Sequence, residues 1–555
     1  MKTYLSFCVT LLMAAFIHSV AARSPKCIAK FDNGIGAGVL RETFTKKLYC
    51  AYLGIPYAQP PIGELRFEDP VPLYFDASVT FDNVSHPCVQ HTIAWKKLGN
   101  EDCLYLNVYT PYVRVSKRPR PSMPVLVWIH GGSFTEGSSE TDIFGSEFIL
   151  DEEVIMVTFN YRLSALGFLG IEDLNIASNL GLKDQSEVFR WVKRNIRSFG
   201  GDPKRVTIVG WSSGSAAATY HMYAHSSKKL FSHVIAMSGT MTQPWAYSFL
   251  TQWCSNEFLK YIDVTNKDEL KMKPAGLIVS NDGPKFHYFT LTHSCYMPSA
   301  DNDYARRNPY DAVRMMRPIN DVPLMIGSTA VEHDNLYDSR NFSMDQFNYP
   351  NNNVTIYERI RDYLEYRRAN RSARIFYRKL GSYADFQFGL QYFIEKASQR
   401  FKSPIYRYRF SFDGPFAYAK NEYYRNEIHP MSGAMHGDDL GYLFTPYNYR
   451  NVVTSGKVNE PLVKQSLKVL RRMVRLWTNF AKYGNPTPAN SKIHQTTWPP
   501  YNDLNQPRQY LNIDRQLRVQ RKDISNKYYY QMWKTVFNCL YYYKCEFLNK
   551  AYNKY

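Results

Sequence analysis

Short apolar runs recur along this chain and alternate with longer stretches of helical spacing. Residues 125–129, 154–159, 206–209, 233–237, 323–327 and 405–411 are mainly apolar runs, the last broken by Arg407 and Arg409, the pattern of strands buried on both faces. Between and after them, 184–198, 216–224 and 462–482 carry apolar positions at the spacing of one helix face. The alternation predicts an α/β fold: a large, mostly parallel central sheet with helices on both faces. No linker, repeat or low-complexity tract divides the 555 residues. One large domain is therefore expected over 23–535, with a leader before it and a tyrosine-rich tail, 536–555, after it.

Gly210-Trp211-Ser212-Ser213-Gly214 joins the apolar run Val206–Val209 to the helix-prone stretch from Ser215 to Ala224. A serine in a tight strand-to-helix turn has its hydroxyl pushed into the open, and side chains two positions either side would collide with strand and helix. The two glycines fit that demand, although the pentapeptide alone fits an ordinary Gly/Ser turn equally well. His130-Gly131-Gly132-Ser133-Phe134 follows the run Val125–Ile129. Such a loop can aim backbone N–H groups at a developing oxyanion; alone, it also reads as a glycine turn after a buried strand.

Longer motifs decide between these readings. Tyr52-Leu53-Gly54-Ile55-Pro56-Tyr57-Ala58-Gln59-Pro60-Pro61, Leu65-Arg66-Phe67 and Glu101-Asp102-Cys103-Leu104-Tyr105-Leu106-Asn107-Val108 come first. Asn160-Tyr161-Arg162, Gly167-Phe168-Leu169, Asp184-Gln185 and Phe199-Gly200-Gly201-Asp202-Pro203 then lead into the serine turn. In residues and order the chain resembles the type-B carboxylesterase/cholinesterase family of α/β-hydrolases over roughly 28–535, in a style close to secreted insect carboxylesterases. The resemblance implies an α/β-hydrolase fold and a serine esterase with a Ser-Glu-His triad. A serine hydroxyl needs a base to activate it and a carboxylate to fix that base's tautomer. By resemblance the nucleophile is Ser212, the base is His436 in Ala434-Met435-His436-Gly437-Asp438-Asp439, and the acid is Glu332. The family's usual glycine after the acid is His333 here, so Asp334 stands as a second candidate acid. Gly132, Ser133 and Ser213 would supply the oxyanion N–H donors, with Ser133 where the family often has glycine or alanine.

Substrate choice rests on the residue before the nucleophile. Cholinesterases hold a cationic substrate with a glutamate there; this chain has Trp211. Phe134, Trp211 and Trp245 are expected to line an apolar, aromatic pocket for small-molecule esters with neutral hydrophobic groups. The chemistry implies no metal and no organic cofactor. The alternative from another class is a non-catalytic adhesion or matrix protein, as neuroligins and glutactin are within the family.

Compartment and surface follow from the remaining sequence. Lys2, an apolar run from Leu5 to Ile17 and the small residues Ser19-Val20-Ala21-Ala22 form an expected signal peptide, 1–22, which predicts a secreted protein. Setting aside Cys8, eight cysteines remain, an even number suited to an oxidising compartment. Cys88 with Cys103 resembles the family's first disulfide; Cys27 with Cys50 and Cys539 with Cys545 are paired on proximity, which leaves Cys254 and Cys295. Asn83, Asn341, Asn353 and Asn370 begin acceptor sequons for glycosylation, whereas Pro486 spoils Asn485. No later stretch reads as a membrane anchor. The net charge of +19 is spread along the chain, with short clusters at Lys117–Arg120, Arg367-Arg368 and Arg471-Arg472 and no nucleic-acid motif. By resemblance, 462–482 lies where cholinesterases form a dimer bundle, which leaves both a homodimer through it and a monomer open.

Overall fold

The computed structural model describes residues 26–32, 34–91, 97–113, 122–140, 144–249, 251–279, 295–332, 354–368, 372–423, 432–444, 461–489, 496–521, 527–542 and 544–545. The expected signal peptide, His333, Asp334 and the sequons at Asn341, Asn353 and Asn370 lie outside the described residues.

An eleven-stranded sheet runs through the molecule. Its strands are β1 (Val39–Glu42), β2 (Leu48–Pro56), β3 (Tyr105–Thr110), β4 (Met123–Ile129), β5 (Ile155–Phe159), β6 (Gly201–Trp211), β7 (His233–Met237), β8 (Leu324–Thr329), β9 (Ile405–Phe410), β10 (Tyr510–Ile513) and β11 (Leu517–Gln520). Across the sheet the order is β11-β10-β9-β8-β7-β6-β4-β5-β3-β2-β1. Strands β4 to β10 are parallel, with antiparallel strands only towards the edges. Every apolar run expected to be a strand is one. β6 extends further back than 206–209, because Gly201 also pairs with β4 across a register shift.

The central strands are apolar on successive positions because both faces are covered. Val125, Val127 and Ile129 of β4 enter one buried cluster, while Leu126 and Trp128 enter another. Helices α1 (Leu180–Asn195) and α2 (Ser213–Tyr223) cover the first face through Leu182, Val188, Phe189, Ala216 and Ala217. Two further helices follow in the chain: α3 (Ala373–Ser382), and α4 (Phe388–Ala397), whose Leu390, Phe393 and Ile394 join the first face. The second face is covered by α5 (Pro461–Tyr483), through Val469, Leu470, Met473, Leu476, Trp477 and Phe480. Each such side chain, fully buried, stabilises the fold by about 1.5–3 kcal/mol.

A third cluster accounts for part of the tyrosine content. Helix α6 (Lys527–Tyr542) packs against α3, α4 and the helix Val354–Arg368. The Tyr529 ring stacks on Tyr383 at 5.7 Å, and the Tyr528 hydroxyl donates to the Arg367 carbonyl at 2.5 Å. Tyr528-Tyr529-Tyr530 is thus packing surface, with the Tyr528 and Tyr530 hydroxyls bonded to Arg367 and Glu395. The boundary expected at 535 falls inside this helix, which buries Val536, Phe537 and Cys539 beyond it.

Four disulfides join Cys27 to Cys50, Cys88 to Cys103, Cys254 to Cys295 and Cys539 to Cys545. A buried pair, Arg162 with Asp184, locks two of the sequence motifs together: Nη2 donates to Oδ1 at 2.7 Å and Nε to Oδ2 at 2.8 Å. With both partners buried, losing either would strand a charge.

Candidate active site

In a parallel sheet the carboxyl ends of the strands share one edge, and the loops leaving them meet there. His130 follows β4 directly, Ser212 follows β6, Ser238 follows β7, and Glu332 comes three residues after the end of β8. This topology brings the separate motifs together.

Ser212 occupies the turn between β6 and α2 with φ 56° and ψ −123°, left-handed backbone that a non-glycine residue adopts only when its surroundings enforce it. The enforcing contacts are close. A β-carbon on Gly210 would lie 2.0 Å from the Gly214 carbonyl oxygen, and one on Gly214 would lie 2.2 Å from that of Ile129. Strand, turn and helix therefore approach each other only because both positions lack a side chain. Ser213 is the first residue of α2, where N–H groups have no intrahelical acceptor and the helix dipole favours negative charge.

The loop after β4 runs against this turn. A β-carbon on Gly131 would stand 3.0 Å from the Ser212 Cβ. Ser133 and Phe134 both have positive φ, 55° and 62°. Among the described residues, the N–H groups of Gly132, Ser133 and Ser213 donate to no carbonyl. The loop is held from behind: Tyr161 donates to the His130 carbonyl at 3.0 Å and stacks on its ring at 4.4 Å. Burial pushes the His130 imidazole down to about 4, so it is neutral and donates from Nδ1 to the Gly131 carbonyl.

Glu332 is buried, with φ 57°. Its Oε2 accepts from His436 Nδ1 at 2.7 Å. Its Oε1 accepts from the Ser238 hydroxyl at 2.6 Å and the Thr329 N–H at 2.7 Å. The backbones are tied as well, the His436 N–H donating to the Glu332 carbonyl at 2.8 Å. An imidazole so held keeps its Nδ1 proton and leaves Nε2 as the basic nitrogen. Asp439 is also buried; burial, then the nearby Glu332 and Asp438 carboxyls, push its acid well above the usual carboxylate range.

Two aromatic rings hold the imidazole. Trp211 stacks on His436 at 5.0 Å and 28°, and Phe386 lies at 4.5 Å and 39°. Phe386 belongs to a single π turn, Tyr383–Gln387, between α3 and α4; such turns often sit at functional sites. Trp245 donates from Nε1 to the Asp385 carbonyl of that turn at 2.8 Å and packs on Phe386 at 5.6 Å.

Of the residues expected to line the pocket, Trp211 thus lies on the imidazole, and Trp245 lies behind Phe386. Phe134 has no exposed surface and packs on Phe168 at 5.0 Å, filling the space beneath its loop instead of forming an open wall. The sequence reading did not single out Ser238, Thr329 or Phe386. Ser238 follows a predicted strand immediately, a usable signal, but the Phe386 contact crosses 50 residues and has no local signature. Among the described residues no group of His, Cys, Asp and Glu could hold a metal ion, and no helix is long and apolar enough to cross a membrane.

The comparisons with known proteins agree over almost the full chain. The model of the carboxylesterase family matches residues 28–533. Juvenile hormone esterase of Tribolium castaneum is 30% identical over 517 residues, covering 84% of each chain. Venom carboxylesterase-6 of Apis mellifera is 28% identical, covering 92% of this chain and 94% of that one. Among solved structures, a PNB esterase superposes with a TM-score of 0.69 at 23% identity, covering 89% of this chain and 97% of its own. That likeness bears on the fold alone. The family match and the architecture together lead to one conclusion: this chain belongs to the carboxylesterase family and has the α/β-hydrolase fold.

Proposed function

We propose that the protein is a secreted serine carboxylesterase acting on esters with neutral hydrophobic groups through an acyl-enzyme on Ser212. The observation that carries this reading is the Glu332–His436 hydrogen bond beside a strained serine turn. In acylation the Ser212 Oγ adds to the ester carbonyl carbon as His436 Nε2 takes the hydroxyl proton. The oxyanion is met by the N–H groups of Gly132, Ser133 and Ser213, each worth about 10²- to 10³-fold in rate. Collapse breaks the bond to the alkoxy oxygen, which leaves as the alcohol with the proton from His436. Water repeats the sequence on the acyl-enzyme, releasing the carboxylic acid and restoring Ser212. Glu332 orients the imidazole and stabilises its cation.

Four disulfides support an oxidising, extracellular setting, as does the leader read over 1–22. Asn83 is exposed and open to a glycan.

The test is labelling of the protein, expressed from its full sequence, with a fluorophosphonate, followed by peptide mapping. One adduct, on Ser212, is expected. Folded protein that takes up no label would overturn the reading in favour of an adhesion role. A second measurement addresses substrate class. One face of the Trp211 indole is covered by His436, no carboxylate occupies position 211, and the protein carries a charge of +19. Butyrylcholine is therefore expected to have kcat/KM at least about tenfold below that of its neutral isostere, 3,3-dimethylbutyl butyrate, on the order of 1.4 kcal/mol. Equal values would remove the argument from Trp211.

A further inference from the structure

Helix α5 spends its apolar side on the core and carries only positive charge on the rest. Lys464, Lys468, Arg471 and Arg475 are exposed, and their spacing of four, three and four residues sets them along one stripe of the helix. At 1.5 Å per residue the stripe is about 16 Å long. No Asp or Glu occurs anywhere from 461 to 502. Among the described residues, no carboxylate pairs with Lys464, Lys468 or Arg471; only Arg475 and, more distantly, Lys482 reach one, Glu152 at 3.3 and 4.0 Å.

A second element enlarges the stripe. The turn between β10 and β11 is seated on α5 through the Arg515 carbonyl, which accepts from Arg472 Nη1 at 2.7 Å and from Gln465 Nε2 at 3.1 Å. Arg515, Arg518 and Arg521 of this hairpin are exposed. Asp514, the acid in the turn, accepts from the Arg515 N–H at 2.7 Å. Cations three and four residues apart on a helix repel one another, and here nothing within the helix offsets it. The face is thus predominantly cationic on two elements, with Lys464, Lys468 and Arg471 unpaired among the described residues.

We infer that the outer face of α5 and the β10–β11 hairpin form a docking surface for a linear sulfated polysaccharide. Charge complementarity and the straight run of cations carry the choice. A second copy of this chain is disfavoured, because a two-fold contact through α5 would lay the stripe against itself, which goes against the homodimer that the resemblance leaves open. An anionic membrane would be met by a helix whose apolar residues are already committed to the core, with only Leu462 and Tyr483 exposed at its ends. Nucleic acid is set aside on compartment, which rests on the extracellular reading; the inference does not depend on esterase activity.

The test uses the full-length protein and a heparin decasaccharide, with affinity measured across a salt series. Wild type is expected to bind with a strong salt dependence. The triple variant Lys464→Gln/Lys468→Gln/Arg471→Gln should bind about tenfold more weakly with a shallower salt slope. A control triple, Lys204→Gln/Lys228→Gln/Arg307→Gln, removes the same charge from exposed positions elsewhere and should stay within about twofold of wild type. Thermal melting reports that all three are folded, whether or not they hydrolyse esters. Equal weakening of both triples would reduce the effect to net charge and overturn the inference. So would tighter binding to phosphatidylserine vesicles or duplex DNA than to the decasaccharide, or a dimer in solution that the stripe variant dissociates.

Discussion

Glu332→Gln is expected to lower kcat about 10⁴-fold, the scale seen when the carboxylate of a serine triad becomes an amide. The local hydrogen bonds say why the conservative change is severe. Two donors, the Ser238 hydroxyl and the Thr329 N–H, converge on Oε1. A glutamine must place its carbonyl oxygen there and turn its amide group to the position of Oε2, facing His436 Nδ1. The amide then donates to Nδ1 and drives the imidazole to the tautomer protonated on Nε2, which cannot take the serine proton. Steady-state kinetics on p-nitrophenyl butyrate check this, with Asp334→Asn expected to stay near wild type. A fully active Glu332→Gln, or an inactive Asp334→Asn, would move the acid to Asp334.

Ser212→Ala is expected to cost more, about 10⁶-fold in kcat, since the acyl-enzyme cannot form. The residual rate would come from the oxyanion donors and substrate binding, which alanine leaves in place. Triad members act as a unit, so the double variant Ser212→Ala/Glu332→Gln should be no slower than Ser212→Ala alone. Additive losses would mean that Glu332 contributes through the fold and not through the base. Retained labelling of Ser212→Ala by a fluorophosphonate would point to the neighbouring Ser213 instead.

The parts of this protein that sequence discloses are those written locally. The central strands show as largely apolar runs because each face of the sheet meets its own core, as the division of Val127 from Trp128 illustrates. The serine turn is legible because Gly210 answers to a contact four residues away, at Gly214, although Gly214 itself answers to Ile129 on the neighbouring strand. The proposed acid was harder. His333 stands where the family's glycine would help, and what sets Glu332 in place is a left-handed backbone together with donors from β7 and β8, none of it visible in a window of sequence. Phe386 was out of reach because a π turn has no clear signature and its partner lies 50 residues on. The tyrosines near the end of the chain gave no meaning by composition, and gained one only when Tyr529 was found against Tyr383.

That last contact ties a distant helix to the proposed base. Tyr383 opens the same π turn that sets Phe386 against His436, and the ring bracing it comes from α6. A change at Tyr529, well out of reach of the imidazole, would therefore be felt there as a loosened wall.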